Sequence, residues 1–396
     1  MEDGALPMLI APPALSTAPL EVPHRLLMGP GPSNVPARVL AAAGLPLLGH
    51  MHPQYLKIMD ECQAWLRYAF QTTNELTLAV SGSGHAAMEA GIANLVEAGD
   101  PVLVAENGLW GERVSDIADR YGAEVKTTKV AGGEVFTLGQ IEEELRRHRP
   151  KLLFLCHGDS STGALQPLVG MGELCHKYGC LLFVDCITTI GGVPVFIDKW
   201  GIDVAYTGAQ KVLNVPPGAS PITFSPRAVQ RIASRHSKVG SFYLDMTLVG
   251  RYWGVGGPRI YHHTGLISNV YVLREGLALL AEEGLEAAWA RHRQSVDTLH
   301  AGLERMGLQL FVKEKAHRLP TVSTVCVPAG VKWDAVSKFI MEKYSMEIAG
   351  GLGPTAGKVW RIGLMGANAN PANVTLVLAA MEDALRHVGF LRRSAL

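Results

Sequence analysis

The stretch CLLFVDC, Cys180–Cys186, is an apolar run that closes on a carboxylate. Two similar runs precede it, PVLVAE (Pro101–Glu106) and KLLFLCHG (Lys151–Gly158), and helix-like stretches such as GERVSDIADRYG and LQPLVGMGELCHKYG lie between the runs. Short, continuous apolar runs are typical of strands that are buried on both faces. Strand and helix alternating in this way predict an α/β fold with a mainly parallel sheet. Ligands of such sheets bind beyond the carboxyl ends of the strands.

A second, smaller α/β domain is predicted from about Leu277 onward. The stretch LALLAEEGLEAAWARHRQSVDTLHAGLERMG has apolar residues at helical spacing and predicts one long helix. PTVSTVCVP, a helix near Trp333–Tyr344, EIAGGLG, KVWRIGLMG and a last helix near Ala372–His387 follow it. We therefore divide the chain into an extended N-terminal arm (1–23), a large ligand-binding domain (24–283) and a small C-terminal domain (284–396).

Composition excludes several classes of partner. The chain has 396 residues, of which 48% are hydrophobic, and its 36 basic residues balance 36 acidic ones. Without a net positive charge or a basic run, neither nucleic acid nor a membrane is expected as a partner. Prolines interrupt the apolar N-terminus, so it predicts neither a signal peptide nor a membrane span, but an arm that lies on a partner subunit. The six cysteines are expected to be reduced thiols.

The two ends of the chain bear on its location in the cell. Two acidic residues and no arginine at the start argue against a mitochondrial transit peptide. The terminal Ser394-Ala395-Leu396 resembles the peroxisomal targeting tripeptide, although its middle residue is alanine where that signal has a basic residue. A peroxisomal location is therefore expected, with the cytoplasm and the mitochondrion as alternatives.

Three features could carry chemistry at the ends of the predicted strands. In SGSGHAAMEAGIANLV, small residues precede a helix that begins near His85, an arrangement that can bind an anion. Asp185 closes a buried strand, where a carboxylate needs a partner. Lys211, in AYTGAQKVLNVPPG, has no acidic neighbour in sequence, and desolvation would favour its neutral, nucleophilic form. Each feature alone has a plainer explanation: an ordinary loop, a loop-capping aspartate and a solvated lysine.

Together, the three features match the three functional groups by which a protein binds pyridoxal phosphate. Its phosphate needs N–H donors, its ring nitrogen needs a carboxylate and its aldehyde needs an amine to form an imine. The sequence therefore predicts pyridoxal 5'-phosphate as the cofactor and Lys211 as the imine-forming residue.

The chain resembles the class V aminotransferases, and within them the alanine–glyoxylate (serine–pyruvate) aminotransferases. The stretches that carry the resemblance run from Leu26 to Gly366 and are LLMGPGPSNVP, FQTTNELTLAVSGSGH, HGDSSTGALQPL, LLFVDC, YTGAQKVLNVPPG, YHHT, RLPTV and GGLGPTAGKVWRIGLMG. The resemblance implies the aspartate aminotransferase-like fold of pyridoxal-phosphate-dependent transferases. It also implies a ping-pong transfer of the amino group of L-alanine or L-serine to glyoxylate, giving pyruvate or hydroxypyruvate and glycine.

The same resemblance implies a role for individual residues around the cofactor. Asp185 pairs with the ring nitrogen and Lys211 forms the imine and acts as the base. The remaining cofactor contacts that it implies are a phosphate-binding turn (Ser83, Gly84, His85), a stacking ring (Trp110), a hydroxyl (Ser160) and a phosphate contact (Gln210). Tyr261 and Thr264 match residues that reach the phosphate of the neighbouring subunit, which implies a homodimer with composite active sites.

Substrate recognition is implied at two further positions. Arg361, in KVWRIG, matches the arginine that binds the substrate's α-carboxylate, for which a planar guanidinium is suited. Gly49, in LGHMHPQ, stands where 3-hydroxykynurenine transaminases of the same family carry a different triplet, so glyoxylate is favoured and kynurenine substrates are the alternative. His50 and His52 are too few to ligate a metal, and none is predicted.

Two other classes remain as alternatives. A desulfurase on the same fold would need a mobile cysteine facing the substrate, and the cysteines here stand in predicted strands or helices. A non-catalytic binding protein of this fold is the other alternative, and the presence of Lys211 argues against it.

Overall fold

Residues 10–391 are described by the computed structural model, which contains a large sheet with helices followed by a smaller α/β unit. The elements up to the end of the sheet region are, in order, β1 (Leu26–Leu27), α1 (Ala37–Ala43), α2 (Pro53–Phe70), β2 (Leu76–Ser81), α3 (Gly84–Leu95), β3 (Pro101–Glu106), α4 (Leu109–Arg120), β4 (Glu124–Lys129), α5 (Leu138–His148), β5 (Leu152–Cys156), β6 (Gly158–Asp159), β7 (Ala164–Leu165), α6 (Met171–Lys177), β8 (Leu181–Asp185), β9 (Val204–Tyr206), β10 (Ala219–Phe224), α7 (Pro226–Ala233), α8 (Met246–Tyr252) and α9 (Ile267–Glu283).

Seven of these strands form one sheet in the order β2-β10-β9-β8-β5-β3-β4. Neighbouring strands pair in parallel from β9 to β4, whereas β10 is antiparallel to both β2 and β9. The predicted α/β fold with a mainly parallel sheet is therefore confirmed. Because β2 and β9 both oppose β10, the carboxyl ends of every strand except β10 meet at one edge of the sheet.

The three apolar runs that predicted the sheet are β3, β5 and β8. Every residue of β5 and β8 is buried, and the rings of Phe154 and Phe183 on these adjacent strands pack edge to face at 5.4 Å. A strand covered by helices on both faces has no polar side, which explains why these sequences do not alternate. The outermost strand, β4, reads EVKTTK and is mostly exposed, as an edge strand can be.

The C-terminal part of the chain forms a smaller α/β unit. Its elements are α10 (Leu285–Arg305), β11 (Val322–Cys326), α11 (Trp333–Tyr344), β12 (Met346–Glu347), β13 (Ala349–Gly350), β14 (Val359–Gly363) and α12 (Pro371–His387), with single 3₁₀ turns at Lys315–His317, Gly353–Thr355 and Gly366–Asn368. β14 is the centre of an antiparallel sheet between β11 and β13. The two helices that the sequence predicted after Trp333 are present.

The prediction of one long helix from Leu277 is wrong. The stretch contains two helices, α9 and α10, which meet at Gly284 with a φ of 83°. An L-residue with a side chain rarely adopts this conformation, whereas glycine does so at little cost. Periodicity missed the break because the apolar spacing continues across it.

The segment after the arm packs with the C-terminal unit. β1 pairs in parallel with β12, and Met28 is buried in a hydrophobic cluster whose other buried members run from Val296 to Leu385. A second cluster spans Val39 to Ala288 and contains the large sheet. The domain boundaries at residues 23 and 283 stay a prediction.

The predicted arm is described from residue 10 onward. Residues 10–23 form no helix or strand, and Ile10 and Leu20 are 98% and 89% exposed. The Ser394-Ala395-Leu396 tripeptide lies outside the described residues. Within residues 10–391, no helix is long and apolar enough to cross a membrane. The six cysteines, all within that range, are free thiols, and five of them are buried.

Candidate active site

The chain places most of the predicted site residues at the common edge of the parallel strands. Ser83 to His85 follow β2, Trp110 lies in the first turn of the helix after β3, and Ser160 lies just beyond β5. Asp185 ends β8, and Gln210 and Lys211 follow β9. Arg361 reaches the same place from β14 of the smaller unit.

Lys211 is held in a loop that the N-terminal segment braces. The Ser33 hydroxyl donates to the Lys211 carbonyl at 2.6 Å, and the Ser33 N–H donates to the Gln210 carbonyl at 2.9 Å. Asn214, with a φ of 52°, donates to the Ser33 hydroxyl at 2.8 Å. The loop that precedes β10 is therefore fixed by contacts that are distant in sequence.

The amine of Lys211 lies in a largely desolvated place. Its Nζ donates to the Pro30 carbonyl at 2.5 Å, and a Cβ on Gly31 would lie 2.5 Å from Nζ. Burial, reinforced by the Arg361 guanidinium, lowers the pKa of Lys211 to about 8, against the opposing effect of Asp185 and Glu347. A lysine with such a pKa has a neutral fraction near physiological pH, which a nucleophile or a base requires.

Asp185 is a buried carboxylate with two donors. Its Oδ1 accepts from the Ile187 N–H at 2.8 Å, and its Oδ2 accepts from the Tyr206 hydroxyl at 2.5 Å. Burial raises the pKa of Asp185 to about 6, although both hydrogen bonds and the Lys211 charge oppose the rise. A cation placed against this carboxylate would restore its charged form.

Ser160 connects the predicted stacking ring with the predicted carboxylate-binding arginine. Its hydroxyl accepts from the Trp110 indole N–H at 3.0 Å, and its carbonyl accepts from Arg361 Nη1 at 3.0 Å. Arg361 Nε donates to the Gly350 carbonyl at 2.8 Å, and the residue is 8% exposed. Burial lowers the pKa of Arg361 from its ordinary value. Arg361 is thus oriented by two backbone carbonyls, and its remaining N–H donors are available to a ligand.

The predicted phosphate turn lies at the beginning of α3. Ser83 is the N-cap residue, and its side chain makes no capping hydrogen bond. The first N–H groups of a helix have no acceptor within the helix, and together with the helix dipole they favour an anion. The ring of His85 packs edge to face on Trp110 at 5.9 Å, so the turn borders the predicted stacking position. Gln210, half-buried, directly precedes Lys211.

Three predicted residues form a separate group, in which Tyr261 and Thr264 are exposed and Gly49 is half-buried. Tyr261 is 53% exposed, and its ring lies 5.0 Å from that of His50, the neighbour of Gly49. The hydroxyls of Tyr261 and Thr264 are 3.5 Å apart. His263, between them, hydrogen-bonds the Ser81 hydroxyl at 2.8 Å. Within residues 10–391, no hydrogen bond or ring contact joins Gly49, Tyr261 or Thr264 to Lys211.

Two residues of the site were missed from the sequence. Tyr206 lies in the stretch AYTGAQKVLNVPPG, but only the register of β8 and β9 shows that it is opposite Asp185. Glu347 lies in EIAGGLG, where a single carboxylate carries no local signal, and it is close enough to Lys211 and Arg361 to affect both.

These residues fit pyridoxal phosphate. Asp185 is a buried carboxylate that lacks a full cationic partner, and a protonated ring nitrogen would supply one. The start of α3 offers N–H donors without a side-chain cap, as a phosphate requires. Gly31 has no side chain, which leaves room for the amine of Lys211. No group of three or more His, Cys, Asp or Glu side chains among the described residues could hold a metal ion.

Comparison with known proteins agrees with this geometry. The family model of class V aminotransferases matches residues 26–368. The chain is 53% identical over 382 residues to the alanine–glyoxylate aminotransferase of Callithrix jacchus, covering 96% of this chain and 92% of that one. It is 38% identical to the (S)-ureidoglycine–glyoxylate transaminase of Bacillus subtilis, covering 92% of each.

A solved structure shows the same fold over nearly the whole chain. The alanine–glyoxylate aminotransferase from Nostoc sp. superposes with a TM-score of 0.92 at 51% identity, covering 94% of this chain and 98% of that one. The predicted cofactor and the predicted aspartate aminotransferase-like fold are thereby confirmed. The chain belongs to the class V aminotransferases, pyridoxal-phosphate-dependent enzymes that move an amino group between amino acids and oxo acids.

Proposed function

We propose that this enzyme transfers the amino group of L-alanine to glyoxylate, giving pyruvate and glycine, and that L-serine is a second amino donor. The amino donor and acceptor are supported by relatives named alanine–glyoxylate aminotransferase, which are about as similar to this chain in a fly as in mammals, at 48% and 50–53% identity. Serine differs from alanine by one hydroxyl and carries the same α-amino and α-carboxylate groups.

The observation that carries the proposal is the placement of Arg361 beside Lys211. Arg361 is oriented by the Ser160 and Gly350 carbonyls and retains donors for a carboxylate. A substrate bound through its α-carboxylate would therefore hold its α-carbon near the Lys211 amine. The Lys211 pKa of about 8 suits a group that takes the α-proton and returns it.

The other residues bind and orient the cofactor. Asp185 would keep a positive charge at the ring nitrogen of bound cofactor, Trp110 would pack on the ring, and Ser83 to His85 would hold the phosphate. Pyridoxal phosphate itself supplies a carbonyl that accepts the amino group and a ring that stores the electrons. Ser160 couples the two halves of the site, since one residue contacts both Trp110 and Arg361.

A half-reaction panel tests the amino donor. Holoenzyme is mixed separately with L-alanine, L-serine and 3-hydroxykynurenine, and conversion of the cofactor to its amine form is followed by absorbance. We expect alanine and serine to convert the cofactor and the pyruvate formed from alanine to equal the cofactor consumed. Conversion by 3-hydroxykynurenine alone would establish the alternative substrate class. A holoprotein whose colour none of the three amino acids changes would be the non-catalytic alternative.

We propose further that the enzyme is a homodimer with composite active sites. The proposal is supported by the group of Gly49, Tyr261 and Thr264, for which residues 10–391 show no hydrogen bond or ring contact with Lys211, and by the exposed apolar residues of the arm. Residues of this group would complete the partner's phosphate and substrate sites. Sedimentation of holoenzyme at decreasing concentration tests this: activity should fall as the dimer dissociates, and a fully active monomer would contradict it.

For the cellular location we propose the peroxisome, on the strength of the terminal Ser394-Ala395-Leu396. A fluorescent fusion that leaves the C-terminus free should be punctate and coincide with a peroxisomal marker. Removing the last three residues should release it to the cytoplasm. A cytoplasmic or mitochondrial distribution of the full-length fusion would contradict the proposal.

A further inference from the structure

Glu347 is a carboxylate with no assigned role that lies beside the two cations of the active site. It ends β12, where its carbonyl accepts from the Met28 N–H at 3.0 Å, and its side chain is half-buried. Ala349, two residues later, is opposite Arg361 in the pairing of β13 and β14. Side chains two residues apart on an extended chain lie on the same face, and residues directly opposite each other on paired strands also share a face. Glu347 therefore projects to the same side as Ala349 and its partner Arg361.

Glu347 and Lys211 are packed on one short segment, Gly29 to Gly31. A Cβ on Gly29 would lie 2.9 Å from Glu347 Oε1, and a Cβ on Gly31 would lie 2.5 Å from Lys211 Nζ. Pro30, between the two glycines, accepts the hydrogen bond of Lys211 Nζ. The absence of side chains at Gly29 and Gly31 therefore leaves space for the Glu347 carboxylate and the Lys211 amine against the same backbone segment.

The Glu347 carboxylate lies near two cations without accepting a hydrogen bond from either. Lys211 Nζ donates to the Pro30 carbonyl, and Arg361 Nε and Nη1 donate to the Gly350 and Ser160 carbonyls. Burial raises the pKa of Glu347, while Lys211 and Arg361 act in the opposite direction. It is thus a negative charge that the fold keeps near the substrate position without using it as a structural contact.

The Glu347 carboxylate should affect which amino and oxo acids the site can bind. A substrate's first carboxylate is matched by Arg361, which the Gly350 and Ser160 carbonyls orient and which retains further donors. A second carboxylate on the same small molecule would lie close to Glu347, with Arg361 already occupied and Lys211 needed for the reaction. Like charges at a separation of a few ångströms in a partly desolvated site repel by enough to change affinity about tenfold.

We propose that Glu347 restricts the site to amino and oxo acids with a single carboxylate and excludes acidic ones. The inference rests on the proposed function, because it requires the α-carboxylate to bind Arg361. It deepens that function by assigning the substrate class to a residue: alanine, serine, glyoxylate and pyruvate each carry one carboxylate, whereas aspartate, glutamate and their oxo acids carry two.

Two ligands of nearly the same shape separate charge from size. Succinate and succinamate differ in that one carboxylate is replaced by a neutral amide. Their dissociation constants for the holoenzyme are measured by titration calorimetry, which does not depend on turnover. In the parent we expect succinamate to bind more tightly. In Glu347→Gln the ratio of the succinate to the succinamate dissociation constant should fall about tenfold.

Two control variants show whether a change in the ratio is due to the charge at residue 347. Glu347→Asp keeps the charge and should keep most of the discrimination. Glu342→Gln removes an exposed carboxylate from α11 and should leave the ratio at the parent value. A ratio that Glu347→Gln leaves unchanged would overturn the inference. So would a parent enzyme that binds succinate more tightly than succinamate, a result that needs no variant.

Failure of the inference and failure of the proposed function are distinguishable. If the parent converts alanine and glyoxylate but Glu347→Gln discriminates as before, only the role of Glu347 is wrong. If the parent converts aspartate or glutamate in preference to alanine, both the substrate proposal and the inference are wrong.

Discussion

Replacing Tyr206 by phenylalanine should raise the pKa of Asp185 in the cofactor-free protein. The Tyr206 hydroxyl donates to Asp185 Oδ2 at 2.5 Å, and both residues are buried. This hydrogen bond favours the charged carboxylate and so opposes the rise that burial causes, which leaves the pKa at about 6. Tyr206→Phe removes the donor and keeps the ring.

The expected magnitude follows from the strength of the bond. A hydrogen bond to a charged group contributes roughly 1.5–3 kcal/mol, and a pKa change of one corresponds to about 1.4 kcal/mol. The pKa of Asp185 should therefore rise by about one to two, to roughly 7–8. The carboxyl would then be largely protonated at neutral pH and could no longer pair with a cationic ring nitrogen without losing its proton.

The effect on stability has a definite sign. The folded-state pKa of Asp185 lies above its ordinary value of 3.8, so the group contributes stability at low pH that is lost as the pH rises through about 6. In Tyr206→Phe the loss should extend to higher pH. The variant should therefore be destabilised more, relative to the parent, at pH 8 than at pH 5.

Carbon-13 NMR of the Asp185 carboxyl in cofactor-free protein measures the pKa, and urea unfolding at pH 5 and pH 8 measures the stability. Tyr178→Phe is the matched control, because it also removes a tyrosine–carboxylate hydrogen bond, to Glu142 at 3.0 Å, but Tyr178 precedes the amino end of β8 whereas Asp185 lies at its carboxyl end. An Asp185 pKa that is the same in the parent and in Tyr206→Phe would refute the reasoning.

Three further substitutions test the site. Lys211→Ala should abolish turnover while circular dichroism stays that of the parent, because the hydrogen bonds that brace the loop use the backbone carbonyl of residue 211; near-normal turnover would end its assignment as the imine-forming residue. Arg361→Lys should weaken alanine and glyoxylate alike by about 1–3 kcal/mol, measured as kcat/KM, since a planar bidentate donor is lost; unchanged kinetics would remove Arg361 from the site. Gly31→Ala should displace the Lys211 amine and lower the absorbance of the imine, because φ is 107° and the new Cβ would lie 2.5 Å from Nζ. Gly44→Ala, whose Cβ would meet nothing closer than 3.6 Å, is its control and should keep the parent spectrum.

The sequence by itself determined the buried strands of the parallel sheet and the cofactor. A strand that helices cover on both faces must be apolar throughout, so CLLFVDC and its two companions predicted the parallel sheet. Parallel strands end at one edge, so residues at or just after these ends could be expected to lie close together, as Asp185 and Lys211 do. The roles given to individual residues by resemblance stay predictions, although the structure brings most of them to this edge.

Only the tertiary structure decided how distant residues meet. The sheet order sets β9 beside β8, and this adjacency places Tyr206 against Asp185. Arg361 comes to Ser160 from the other unit, and Glu347 comes to Lys211 across the Gly29–Gly31 segment. Such contacts depend on strand order and on packing between units, which no local pattern encodes. The backbone conformation at Gly284 likewise separates α9 from α10, where the apolar periodicity predicted one continuous helix. The spacing of apolar side chains shows which face of a helix is buried, but it does not show where the chain turns.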